Sequence, residues 1–196
     1  MEIIEKRITL DGVAVTNEII SISAFLSHQL DVRLLEVIGK EFRRRFDDLA
    51  DRVNMILTVE ASGIAIAAFT AKYFGYVPVL IAKKDKPNTI REGFYFTDIT
   101  NLADHTLTTI KIEKKLLGEK DRCLIIDDVL ARGEDVLGLS HIAREAGAQI
   151  LGAGVVIEKE FQEGGKKLRD KGIRIEPLAI VAKIENGNIY FRKQEQ

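Results

Sequence analysis

The sequence predicts an α/β protein built on a doubly wound, mainly parallel sheet. Three observations carry that prediction. The runs "VNMILTVE" (53–60), "RCLIIDD" (122–128) and "QILGAGVVIEK" (149–159) are continuously apolar over strand length, as strands buried on both faces of a parallel sheet are. Between them lie segments whose apolar residues recur at helical spacing. Strands and helices alternate along the chain, which is the pattern of a doubly wound sheet.

Taken in order, residues 1–30 form a small separate piece with two short β-like runs, "GVAV" and "EIISIS", followed by "SAFLSHQLD". Apolar residues at 32, 34, 35, 38, 42, 46 and 49 then predict a helix, with Asp31 placed to cap its N-terminus. Strand 53–60 leads through "ASG" into a helix over 64–75, closed by Gly75. "VPVLIAKK" (77–84) is the next strand. Residues 85–105 carry Pro, Gly, Asn and many polar groups and read as a long loop or loose hairpin; long loops in compact domains are often functional lids. "TLTTIKIEKK" alternates as a half-exposed strand, and "RCLIIDD" is a buried one. "EDVLGLSHIAREAGA" is an amphipathic helix ending at Gly147, and strand 149–159 follows. A short helix or turn in "EGGKKLRDKG" and terminal strands in "IRIEPLAIVAKI" and "NIYF" complete the chain.

Composition limits the function classes. The chain has 196 residues, 46% of them hydrophobic, which suits one α/β domain with a substantial core. With 29 basic and 30 acidic residues the net charge is −1, so no global basic field exists to grip nucleic acid. The single cysteine, Cys123, lies inside an apolar run, which predicts a buried thiol and fits a reducing, cytoplasmic setting. The N-terminal "MEIIEKRITLDG" mixes acids with apolar residues unlike a targeting peptide, and no apolar run approaches the roughly 20 residues that cross a bilayer. No Walker-type phosphate loop, Gly-x-Ser-x-Gly elbow or zinc-ligand spacing occurs. "LGAG" (151–154) is too short for a dinucleotide fingerprint, so its glycines are expected to let a helix pack closely. His141 is expected on an exposed helix face.

The chemistry concentrates at the end of the strand over 123–128. Ligands of open α/β sheets bind beyond the carboxyl ends of the strands, where Asp127 and Asp128 stand. Adjacent carboxylates there can accept hydrogen bonds from sugar hydroxyls and help position a divalent cation with its waters. The following "VLARGED" turns into a helix N-terminus, whose free N–H groups and dipole make an anion site. Acids followed at once by an anion cradle suit a ribose that carries a 5-phosphate. A bare pair of aspartates is also a common helix cap, so the weight rests on the extended pattern.

That pattern spans 123–133: four apolar residues, Asp-Asp, two apolar residues, Ala, a variable residue and Gly. It resembles the signature that type I phosphoribosyltransferases use for phosphoribosyl pyrophosphate (PRPP). "FLSHQLD", "VEASGIAIA", "AKKDK", "LIIDDVLARGED" and "GVVIEKEFQEG" stand in the order and near the spacing of bacterial xanthine phosphoribosyltransferases, over almost the whole length. That group also contains adenine phosphoribosyltransferases and purine repressors.

The resemblance implies a core over about 31–160, a hood from about 1–30 with the C-terminal segment, and a mobile loop over about 85–105. It implies transfer of phosphoribosyl from PRPP to a purine, xanthine first among the candidates, with adenine, hypoxanthine and guanine as alternatives. A non-enzymatic PRPP sensor is a further alternative, although the pattern begins too early for an added DNA-binding domain.

By resemblance Asp127 and Asp128 hold the ribose, and Ala131, Arg132, Gly133, Glu134 and Asp135 form the 5-phosphate loop. Glu60, Ala61, Ser62 and Gly63 match the pyrophosphate loop, which can hold a non-proline cis peptide, and Lys83 and Lys86 match basic positions near pyrophosphate. Ile20, Ser27, Lys159 and Phe161 match base-binding positions. Mg²⁺ is expected to arrive with PRPP, near the two aspartates and without a dedicated set of protein ligands. A homodimer is expected, with no nucleic-acid or membrane partner.

Two departures from the family pattern matter. Ile20 and Ser27 replace a usual leucine and asparagine, and a hydroxyl cannot reproduce the donor and acceptor of an amide. Arg132, Glu134 and Asp135 charge a loop that is ordinarily uncharged. A carboxylate about 4 Å from a phosphate charge is repelled by roughly 4 kcal/mol at an effective dielectric of 20, and a helix terminus returns only about 0.3–2 kcal/mol. The two acids are therefore expected to face outward in the first helical turn.

Overall fold

The computed structural model describes residues 1–86, 92–101 and 106–194. Ten strands run in chain order: β1 (Val13–Ala14), β2 (Ile20–Ser21), β3 (Met55–Val59), β4 (Val79–Asp85), β5 (Phe94–Asn101), β6 (Thr106–Glu113), β7 (Arg122–Leu130), β8 (Gln149–Lys159), β9 (Ile175–Glu185) and β10 (Asn188–Phe191). The helices are α1 (Glu2–Asp11), α2 (Val32–Arg45), α3 (Gly63–Tyr73), α4 (Glu134–Glu145) and α5 (Gly164–Asp170). Eight strands form one sheet in the order β10-β9-β8-β7-β3-β4-β6-β5. Its centre, β9-β8-β7-β3-β4, is parallel, and the added strands at both edges are antiparallel. The predicted architecture is the observed one.

β7 shows why its run is continuously apolar. Leu124 and Ile126 enter the core beneath α1, α2 and α3, while Cys123 and Ile125 enter the opposite core under α4. All four are fully buried, and burial pushes the Cys123 thiol up to about 12. α2 starts where Asp31 Oδ1 accepts from the Leu34 amide at 3.1 Å, as its sequence predicts. It lies close to the sheet because β8 has glycines where the phenylalanines land. A Cβ at Gly154 would stand 2.7 Å from Phe42 Cε1, and one at Gly152 would stand 2.9 Å from Phe46 Cε1. Residues two apart on a strand share a face, and residues four apart on a helix share another, so two glycines accept two rings. The close-packing reading of "LGAG" is therefore correct.

Three sequence readings change. The N-terminal ten residues form a helix, α1, which buries only Ile4 and Ile8; one contact per turn leaves a weak periodic signal. Its amino group donates to Leu178 O on β9, so the N-terminal segment packs against a C-terminal strand. Residues 94–101, read as part of a long loop or loose hairpin, form a regular strand paired with β6 from Phe94–Glu113 to Asn101–Thr106. The reason is cross-strand pairing with an alternating partner, which overrides the local polar composition. Residues 87–91 and 102–105 of that predicted lid lie outside the described residues. Finally, β7 continues beyond Asp128 to Leu130, because Val129 and Leu130 still pair with Ile157 and Glu158 of β8. The two short strands of the first thirty residues form a separate antiparallel pair, with Val13 opposite Ser21.

Candidate active site

At the C-terminal end of β7, alternate side chains take opposite faces of the sheet. Asp127 is 7% exposed. Its Oδ1 accepts from the Asp128 amide at 2.9 Å, and Asp128 Oδ1 accepts from the Val129 amide at 2.8 Å. Burial first, and then the charges of Asp128 and Asp135, hold the Asp127 carboxyl well above the ordinary carboxylate range.

The chain turns into α4 at Gly133, whose φ of +87° is open to glycine at little cost. No side chain caps α4. Its first amides therefore keep donors that no intrahelical acceptor uses, aimed where the dipole is positive.

A cavity of about 520 Å³ opens above this strand end. Its floor and anion side are Asp127 and the run 129–136, including Ala131, Arg132, Gly133, Glu134 and Asp135. Both acids stand in the first turn of α4, as expected. The outward orientation expected of Asp135 is incorrect: its carboxyl is largely buried beside Asp128, while Glu134 also borders the cavity. The left-handed Gly133 swings the first turn of α4 toward the strand end, which brings Asp135 beside Asp128. Burial raises the Asp135 carboxyl; Lys84 lowers it and Asp128 raises it further.

Lys159, the last residue of β8, enters the cavity from the neighbouring strand. Its Nζ donates to Glu18 O at 2.9 Å. Burial lowers its pKa, against the opposing pull of Glu18 and Asp128. The wall on that side is the turn between β1 and β2, where Thr16 Oγ1 accepts from the amides of Glu18 and Ile19, both at 3.1 Å.

The segment after β3 supplies a second arm. The Glu60–Ala61 peptide is cis. Ser62 occupies the N-cap position of α3, and Gly63 begins the helix so tightly that a Cβ would stand 2.2 Å from Thr58 Oγ1 and 3.4 Å from Asp127 Oδ1. Glu60 Oε2 accepts from Lys83 Nζ at 3.0 Å, and its Oε1 accepts from the Lys84 amide at 2.6 Å. Burial raises the Glu60 carboxyl, but these donors outweigh it and leave the group below its ordinary range.

Of the sequence candidates, Asp127, Lys159 and the whole 131–135 run line one cavity. Lys83 and Lys86 are exposed side chains outside that lining, and Lys84 stands in it instead. Strand alternation between Lys83 and Lys84 was the available signal. Ile20 is buried in β2, Ser27 is exposed, and Phe161 is half-buried against the core beneath α2. The cavity wall nearest them is formed by Thr16, Glu18 and Ile19, which carried no sequence signal.

Among the described residues no cluster of three or more His, Cys, Asp or Glu gathers as a metal cage. One or two carboxylates suit Mg²⁺ that keeps its waters and travels with phosphates. Asp127, with Asp128 beside it, fits that manner of binding.

The fold is that of the phosphoribosyltransferases. The APRTase of Giardia lamblia complexed with 9-deazaadenine superposes with a TM-score of 0.73 at 21% identity, over 90% of this chain and 96% of that one. The adenine phosphoribosyltransferase of Rhodothermus marinus gives 0.71 at 16% identity, over 92% and 97%. Within that class the chain belongs to the xanthine phosphoribosyltransferase family. It is 42% identical to the xanthine phosphoribosyltransferase of Clostridium novyi over 98% of this chain and 100% of that protein. It is 40% identical to that of Bacillus cytotoxicus over 100% and 98%. No family model matches the chain.

Proposed function

We propose that this protein transfers the phosphoribosyl group of PRPP to a ring nitrogen of a purine, xanthine first, releasing pyrophosphate and the nucleoside monophosphate. The observation that carries this reading is the course of one segment. Asp127, near the C-terminal end of β7, lines the cavity with Asp128 beside it, and five residues after Asp128 Gly133 opens a helix whose free amides meet the same cavity. The volume, about 520 Å³, lies within the range that holds small ligands.

In this reading the sugar develops positive charge as pyrophosphate leaves, so alignment and electrostatics suffice and no protein nucleophile is needed. Asp127 and Asp128 accept from the ribose hydroxyls and face the electropositive ring. The amides of 131–135 hold the 5-phosphate. The Glu60–Gly63 turn and Lys83 face the pyrophosphate, with Lys86 further out. Mg²⁺ bound to PRPP supplies charge neutralisation at the departing phosphates. Lys159 exchanges the Glu18 carbonyl for an exocyclic oxygen of the base, and Phe161 with Ile20 and Ser27 borders the base from the hood. The working unit is a cytoplasmic homodimer.

The reading is tested by incubating the protein with PRPP, Mg²⁺ and each purine base in turn while following pyrophosphate release. Turnover is expected with xanthine well above the rest. Adenine leading would move the preference to the neighbouring branch. PRPP binding without turnover on any base would replace the enzyme with a sensor.

A further inference from the structure

We propose that Glu158 and Arg169, acting through α5, are positioning residues for the anion loop 131–133, and that they set affinity for the phosphorylated end of the sugar substrate without acting on the base. The inference rests on the reading of that loop as the 5-phosphate anchor.

Adjacent residues at the end of β8 point to opposite sides. Lys159 lines the cavity, while Glu158 turns away and is 2% exposed. Its two oxygens accept from Arg169 Nη1 at 2.8 Å and Nη2 at 2.7 Å, a parallel fork that fixes direction as well as distance. Arg169 lies on α5, a helix of seven residues, too short to hold itself without tertiary contacts.

α5 is wedged between this ion pair and the anion loop. Gly165 lies against the carboxylate so closely that a Cβ would stand 1.8 Å from Glu158 Oε1. Gly164 lies against the loop itself. Its amide donates to Ala131 O at 3.2 Å, and a Cβ there would stand 2.4 Å from Ala131 O, 2.5 Å from Arg132 C and 2.7 Å from Gly133 N. Leu168, fully buried, closes the same contact, with its Cδ1 3.2 Å from where a Cβ of Gly133 would stand.

The loop is therefore backed by a continuous chain of contacts. It runs from β8 through the Glu158–Arg169 fork and α5 to the backbone atoms that border the cavity. Backbone amides can hold an anion only if their carbonyls and neighbours are themselves held, and here the support is a pair of glycines backed by an ion pair whose carboxylate is buried and whose guanidinium reaches the surface. None of these residues needs to touch the substrate. Their effect must pass through loop position, and a displacement near 1 Å remote from the chemistry can cost on the order of 100-fold.

The test uses the full chain with the substitutions Gly164→Ala and Arg169→Ala, and Arg169→Lys as the conservative partner. Steady-state kinetics with PRPP and xanthine are combined with calorimetric binding of ribose 5-phosphate, which does not depend on turnover. Both disruptive variants are expected to raise the PRPP KM and the ribose 5-phosphate Kd together, by roughly 10- to 100-fold, with the base KM within about twofold of the parent. Arg169→Lys is expected to recover part of the loss. The inference is overturned if ribose 5-phosphate binds the parent and both disruptive variants alike, or if base and PRPP constants shift in parallel, as general destabilisation would make them do. A parent protein that binds no ribose 5-phosphate and turns over no purine would remove the phosphate-anchor reading, and this inference with it.

Discussion

Gly63 and Thr58 meet at the start of α3 with no room for a methyl group between them: a Cβ on the glycine would stand 2.2 Å from Thr58 Oγ1. Thr58 is fully buried, and its hydroxyl has no hydrogen-bond partner among the described residues. The same Cβ would lie at ordinary contact distance, 3.4 Å, from Asp127 Oδ1, so the clash falls on Thr58 and not on the carboxylate. Gly63→Ala is expected to destabilise by about 1–3 kcal/mol through overpacking. Adding Thr58→Ala is expected to restore part of that loss, with a coupling of at least about 0.5 kcal/mol in denaturant unfolding. Simple additivity of the two changes would refute the steric link.

Asp127 is kept at the site at a cost in stability. Because its folded pKa is raised above the ordinary 3.8, the folded chain holds that proton more tightly than the unfolded chain does. Its contribution is therefore fully favourable below the unfolded value and is lost as pH rises through the raised folded one. Asp127→Asn is expected to raise unfolding stability at neutral pH by on the order of 1 kcal/mol, and to abolish most turnover. The stability gain should vanish toward pH 3. A variant less stable than the parent at pH 7 would contradict this assignment.

Asp135 offers the opposite trade. Its carboxylate stands in the cavity beside Asp128, on the turn that would receive a phosphate. Asp135→Ala is expected to lower the PRPP KM by roughly tenfold, equivalent to about 1.4 kcal/mol. Its raised pKa means that repulsion in the parent grows with pH, so the gap between the two proteins should widen from acid to neutral pH. A higher KM in the variant would mean that the carboxylate helps to hold the ligand, for instance through its cation.

Lys159 ought to report itself in an alkaline limb. Burial lowers its pKa from the ordinary 10.5, so a base-binding step that needs its ammonium form must fail at a lower pH than a free lysine would. The xanthine kcat/KM is expected to fall on the alkaline side with an apparent pKa below 10.5, and Lys159→Arg should remove that limb within the measurable range. An unchanged limb in Lys159→Arg would assign it to another group, the base included.

Much of the fold was legible because its strongest signals are burial signals. β7 and β8 are apolar on both faces, α2 has a continuous apolar stripe with an aspartate cap, and Gly152 with Gly154 marks a close approach. The aspartates and the loop at Gly133 were legible because strand ends and helix starts carry fixed chemistry, whereas Lys159 was reached only through the family resemblance. What the sequence hid depends on partners distant along the chain. Phe94–Asn101 is a strand only because β6 pairs with it, and α1 buries just two isoleucines. Asp135 lies inward after Gly133 sets the exit angle from β7, and Lys84 borders the cavity while Lys83, on the other strand face, pairs with Glu60.

The last two residues of β8 form a junction that tolerates no shift of frame. Glu158 and Lys159 differ by one peptide, yet one is sealed against Arg169 and the other opens onto the cavity. Inserting or deleting a single residue upstream in that strand would exchange their faces. A lysine ammonium would then be driven against Arg169, and a carboxylate would look out where the ammonium now stands. A change of length within β8 is thus expected to be far more damaging than one in the turns beside it, because the end of this strand keeps the polarity of both sides at once.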